Sequence, residues 1–161
     1  MDYFELFDIP IGFHIDQKLL NRTYIQLQKQ YHPDFFGQAS GEDRAFALEQ
    51  SSMINKAYKT FKDKDLTLQY FLQQKNLIEE GEQYKLPADF LMEVLELNEM
   101  KMDGTPAEDV KEKALKMESD LWEEFRGLFE NYDDSKATEA DWLRIKDYYY
   151  KKKYIDRLLA E

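Results

Sequence analysis

The strongest constraint on this chain is the set of places where its helical period is interrupted. Almost every stretch of its 161 residues repeats apolar positions at helical rather than alternating spacing, and prolines at 33, 87 and 106 mark breaks. A proline lacks the amide hydrogen and biases the residue before it toward extended angles, so a helix must stop by His32. Six or more helices and no sheet are expected.

The boundaries follow from capping residues. Asp2 and Glu5 frame a short helix to about Phe7, and Asp16, with Ile15 and Leu20 as a hydrophobic staple, starts a second that runs to Tyr31. After a loop from Pro33 to Gly41, Ser40 and Asp43 match a capping box for a third helix to about Phe61. A short helix covers roughly residues 66–74. Residues 76–87 break the pattern with Gly81 and Pro87, and this stretch is expected to link a module at 1–75 to one at 88–161.

Beyond it one helix spans about Ala88 to Met102. The next is expected from Thr105, with Pro106 at its first position, to about Asn131, and the last runs from about Thr138 to the end. Short connections between three helices imply a three-helix bundle.

Charge separates the two halves. The formal net charge is −11, and residues 1–75 hold −1 of it against −10 for residues 76–161. Such acidity argues against nucleic acid as a partner, because affinity there rests on cations neutralising phosphates. The chain has no cysteine, which removes disulfides, thiol catalysis and thiolate metal ligation. No apolar run approaches membrane-spanning length, and MDYFELFDIP carries acidic residues where a secretory signal carries basic ones, so no membrane and a cytoplasmic location are expected. Without a glycine-rich phosphate loop, a metal-ligand cluster or an activated serine, the chain is expected to be no enzyme and to hold no cofactor or metal.

On the second helix, with Lys18 at zero, Lys18, Arg22 and Lys29 fall at about 0°, 40° and 20°, while Leu20, Tyr24, Leu27 and Tyr31 fall near the opposite side. A cationic stripe thus runs to His32, Pro33 and Asp34. On spacing alone it is either a docking ridge or an ordinary solvated face ending in an exposed turn.

The conjunction carries a resemblance. A short helix, a basic-striped helix ending in Tyr-His-Pro-Asp, a loop and a helix containing INKAYKTF resemble a J-domain. MDYFELF, LQKQYHPD, QSSMINKAY and FLMEVLELNE together resemble the HscB-type J-domain co-chaperones of iron–sulfur cluster assembly; beyond Gly104 the similarity is confined mainly to YKKKYIDRLL. The resemblance implies an all-α fold, a J-domain helical hairpin followed by a three-helix bundle in an L-shaped two-module arrangement. It implies two partners, a seventy-kilodalton DnaK/HscA-like ATPase chaperone and an IscU-like iron–sulfur scaffold protein. His32, Pro33 and Asp34, with Lys18, Arg22 and Lys29, would contact the chaperone and stimulate its ATPase. In many J-domains a lysine follows the tripeptide, whereas here Phe35 does.

The scaffold would meet the helix from Ala88. With Phe90 at zero, Phe90, Val94 and Leu97 form a core stripe, yet Leu91, Leu95 and Met92 lie at about 100°, 140° and 200°, edged by Glu96, Glu99 and Asp103. Apolar anchors with a charged rim suit a protein interface, although the same three side chains could pack within the fold. Tyr154 is the candidate from the last helix, where Lys151 to Lys153 are equally a solvated basic stretch. Two other readings remain open: a J-domain adaptor for a different client, and a helical interaction module with no chaperone partner.

Overall fold

Most helices begin where a side chain can take up the amides that the first turn leaves unbonded. The computed structural model describes residues 1–37 and 40–160, and among them are seven α-helices, one 3-10 turn and no strand. Asp2 opens α1 (Tyr3–Phe7) by accepting the Glu5 amide, and Asp16 opens α2 (Gln17–Tyr31) by accepting those of Lys18 and Leu19. Ser40 caps α3 (Gly41–Phe61) through the Asp43 amide, and Asp63 accepts the first-turn amides of α4 (Lys64–Gln74). Each such cap contributes about 1 kcal/mol. Thr138 and Asp141 satisfy each other's amides at the start of α7 (Glu139–Ala160), a complete capping box.

One boundary differs from the expected one. α5 (Ala88–Met102) ends in a turn where Gly104 sits at φ +86, a conformation that disfavours any side chain, and the Thr105 amide closes back on the Met100 carbonyl. The Thr105 hydroxyl donates to Asp103. Thr105 is therefore committed to ending α5, and α6 (Ala107–Glu130) starts two residues later behind Pro106 with no side-chain cap.

Contacts between Cα atoms divide the chain at Phe71/Leu72, within α4. In the first unit, α2 and α3 form an antiparallel hairpin: pairings of Gln17 with Phe61, Tyr24 with Asn55 and Tyr31 with Phe46 run in opposite chain directions. α1 packs Phe4 and Phe7 against Phe61 to close one end, and the core of Phe4, Phe7, Leu20, Ile54, Ala57 and Phe61 is almost wholly buried. Each such large side chain contributes roughly 2 kcal/mol.

In the second unit α5, α6 and α7 form the bundle. Its core is drawn from Phe90, Val94 and Leu97 of α5, Val110, Leu121, Phe125 and Phe129 of α6, and Ile145, Tyr148, Ile155 and Leu158 of α7. Residues 76–87 lie along α7. Glu82 pairs with Lys146 at 2.7 Å, the Tyr84 ring stacks on Tyr150 at 4.5 Å, and the Tyr84 hydroxyl donates to Asp147 at 2.9 Å. Burial, helped by the Asp147 carboxylate, pushes the Tyr84 phenol up to about 12. Lys151 is half-buried and pairs with Asp147 at 2.8 Å while facing the Phe90 ring.

Candidate functional site

The α2–α3 hairpin carries its polar tip by a chain of local necessities. His32 has the extended angles φ −61 and ψ 131 that a following proline imposes, and its amide still donates to the Gln28 carbonyl at 2.8 Å. Pro33 opens the 3-10 turn Pro33–Phe36, and His32 Nδ1 accepts the Asp34 amide at 3.2 Å. One histidine thus closes α2 and caps the turn after it. His32 Nδ1 also lies 3.5 Å from the Asp34 carboxylate, whose side chain is 88% exposed.

Two braces from α3 hold the stalk beneath this tip. Asn55 Oδ1 accepts both the Tyr24 hydroxyl and the Gln28 amide at 2.8 Å, and the Tyr58 hydroxyl donates to Asn21 at 2.6 Å. The Tyr24 and Tyr58 rings lie flat against each other. With its apolar side fastened to α3, α2 turns Lys18, Arg22 and Lys29 to solvent. Among the described residues no carboxylate pairs with any of the three. The tip and the ridge are thus both open.

The braces were not foreseen: Asn55 lies in the INKAY stretch, but its partners are about thirty residues away in sequence and periodicity is blind to them. Periodicity does not single out Ile25 either. It is 53% exposed, and it lines an open groove of about 400 Å3 together with Lys29, His32, Asp34 and Phe35.

On α5 the wheel reading and the burial agree. Phe90, Val94 and Leu97 are buried, while Leu91, Met92 and Leu95 are 43%, 61% and 51% exposed. Glu96, Glu99 and Asp103 are exposed as well; Glu96 is 3.3 Å from Lys113, and Asp103 accepts from Thr105. Met102, at the end of α5 and outside the patch expected from the sequence, continues the Leu91–Leu95 row and is 88% exposed. Tyr154 is half-buried with its ring edge against Phe90. Among the described residues no group of three His, Cys, Asp or Glu is placed to hold a metal ion, and no helix is long and apolar enough to cross a membrane.

Residues 86–161 match the family model described as the HSCB C-terminal oligomerisation domain. Over the whole chain, the co-chaperone protein HscB homolog of Vibrio cholerae serotype O1 (strain M66-2) is 35% identical, with 94% of that protein covered. The chain belongs to the HscB family of co-chaperones. The HscB homolog of Colwellia psychrerythraea is 34% identical, the match covering 98% of this chain and 96% of that one. Solved HscB structures agree in fold. Chaperone HscB from Vibrio cholerae superposes with a TM-score of 0.67 at 32% identity over 99% of this chain and 94% of its own. Human co-chaperone HscB gives 0.70 at 30% identity over 98% of this chain and 78% of its own. The HscB architecture, a J-domain followed by a helical bundle, is the architecture of this chain.

Proposed function

We propose that this co-chaperone binds an IscU-like iron–sulfur scaffold protein through its bundle and delivers it to a DnaK/HscA-like seventy-kilodalton chaperone, whose ATPase it stimulates. The observation that carries the reading is the hairpin tip: half-exposed His32 and exposed Asp34 stand on a braced stalk, beside a cationic ridge with which no carboxylate among the described residues pairs. An ATPase partner presenting carboxylates fits that ridge, and the tip gives it a fixed imidazole and carboxylate to engage. Stimulation follows if the J-domain binds the hydrolysis-competent state of the chaperone more tightly than the other, since only differential affinity shifts such an equilibrium.

The same reading divides the labour along the chain. Residues 1–75 face the chaperone; residues 88–161 face the scaffold through Leu91, Met92 and Leu95, rimmed by Glu96, Glu99 and Asp103, with Tyr154, whose ring meets Phe90, as the contribution of α7. Residues 76–87 are strapped to α7 by Glu82 and Tyr84. On this reading the protein works in the cytoplasm, as a co-chaperone and not as an enzyme.

The test is the chaperone's ATPase rate in the presence of this protein, with and without a purified cluster scaffold. The expected result is stimulation by the co-chaperone alone and a further rise when scaffold is added. A scaffold that neither binds nor adds to the rate assigns the bundle to another client; an unchanged rate in both arms removes the chaperone from the account.

A further inference from the structure

The cationic face of α2 contains one residue that a solvated or purely electrostatic ridge does not need. On the helical wheel Ile25 falls at about 340°, next to Lys18 at 0° and Lys29 at about 20°, and well away from the core side. It is 53% exposed. Across from it stands Phe35, 68% exposed, in the position directly after Asp34. Phe35 is held there by its amide, which donates to the His32 carbonyl at 3.0 Å, and by an edge-to-face contact with the imidazole at 6.1 Å.

Ile25 and Phe35 are walls of a single groove that also includes Tyr24, Gln28, Lys29, His32 and Asp34. The groove is therefore continuous with the tip through His32 and Asp34, and with the ridge through Lys29. Both large apolar side chains lie in water at a net cost unless something covers them, and neither packs into the core of its own unit.

We propose, resting on the chaperone-docking reading above, that this groove receives an apolar side chain flanked by carboxylates on the ATP-bound chaperone. The apolar side chain enters between Ile25 and Phe35. The flanking carboxylates meet Lys29 on one side and Arg22 and Lys18 along the ridge. Charge steers the encounter and the groove sets how long the complex lasts. Ile25 and Phe35 are then the residues that select the cognate chaperone among those sharing an acidic docking face.

The test uses the full chain and a purified DnaK/HscA-like chaperone, comparing the wild type with the Ile25→Gln, Phe35→Gln double variant. Both positions are exposed, so the fold is retained. The double variant is expected to raise the half-maximal concentration for ATPase stimulation about tenfold, with the plateau unchanged. Titration calorimetry at several temperatures should give it a less negative heat-capacity change on binding, the mark of lost apolar burial. Asp34→Asn is measured beside it. If Asp34→Asn abolishes stimulation while the double variant leaves midpoint and heat capacity unchanged, the groove is not a docking site and the proposal is overturned. If Asp34→Asn leaves stimulation intact, the chaperone-docking reading itself fails.

Discussion

The ring of Tyr24 on α2 lies flat on the ring of Tyr58 on α3, with 3.9 Å between centroids and 16° between planes. Each tyrosine also bonds across the hairpin, Tyr24 to Asn55 and Tyr58 to Asn21, so the pair is a reciprocal clasp between the two long helices of the J-domain. It fixes the rotation of α2 about its own axis and thereby decides that the basic residues face outward.

Removing that clasp should be felt in stability. Tyr58→Ala deletes the stacked ring and leaves Asn21 to solvent, and it is expected to cost about 2–3 kcal/mol. Tyr58→Phe keeps the stack and loses only the hydroxyl bond, at about 1 kcal/mol. Denaturant titration of both variants checks the order. Equal losses would mean that the ring contact contributes nothing beyond its hydrogen bond.

The bundle makes a separate prediction. Leu91, Met92 and Leu95 are exposed on a helix whose opposite face is buried, so replacing all three with Ala should leave helix content intact. Scaffold affinity should fall by about 2–4 kcal/mol if they form the interface centre. Calorimetric titration with a purified cluster scaffold measures this directly, and Met102→Ala tests whether the surface extends along the same row. Undiminished affinity in the triple variant would assign the patch to something other than the scaffold.

Acid should loosen the strap along α7. The hydrogen bond from Lys146 holds the Glu82 carboxyl below its ordinary value, with smaller help from the Glu79 amide and the Tyr150 hydroxyl. A carboxyl depressed in the folded state stabilises the fold above the ordinary glutamate value of about 4.3, and the effect is lost as pH falls through the lower folded value. Glu82→Gln should therefore lower the thermal midpoint by a few degrees at neutral pH, for a loss of about 1–2 kcal/mol. The gap from wild type should close in acid. A gap that stays constant with pH would mean that charge is not what holds the strap.

How much of this was legible in the sequence depends on how far apart the interacting residues are. Helix starts at Asp2, Asp16, Ser40 and Thr138 were readable because a cap and its target lie within three residues. The same rule failed at Thr105, since one threonine can either end a helix or begin one, and the left-handed turn at Gly104 settles which. Residues 76–87 have no helical period, and their partners, Lys146, Asp147 and Tyr150, are more than sixty residues away, so nothing local could show the strap. The exposed face of α5 was legible because it is a property of one helix. The Asn55 brace and the Ile25–Phe35 groove were not, because each exists only once α2 has met α3 or turned the corner after His32.

On the proposed function, the hairpin tip drives hydrolysis by a partner while the bundle holds the scaffold. Single-turnover ATP hydrolysis by the chaperone, measured with wild type and with Asp34→Asn at matched scaffold occupancy, separates the two most directly. Asp34→Asn is expected to return the rate to the level of chaperone alone while calorimetry finds scaffold affinity unchanged. Full acceleration by the variant would contradict it.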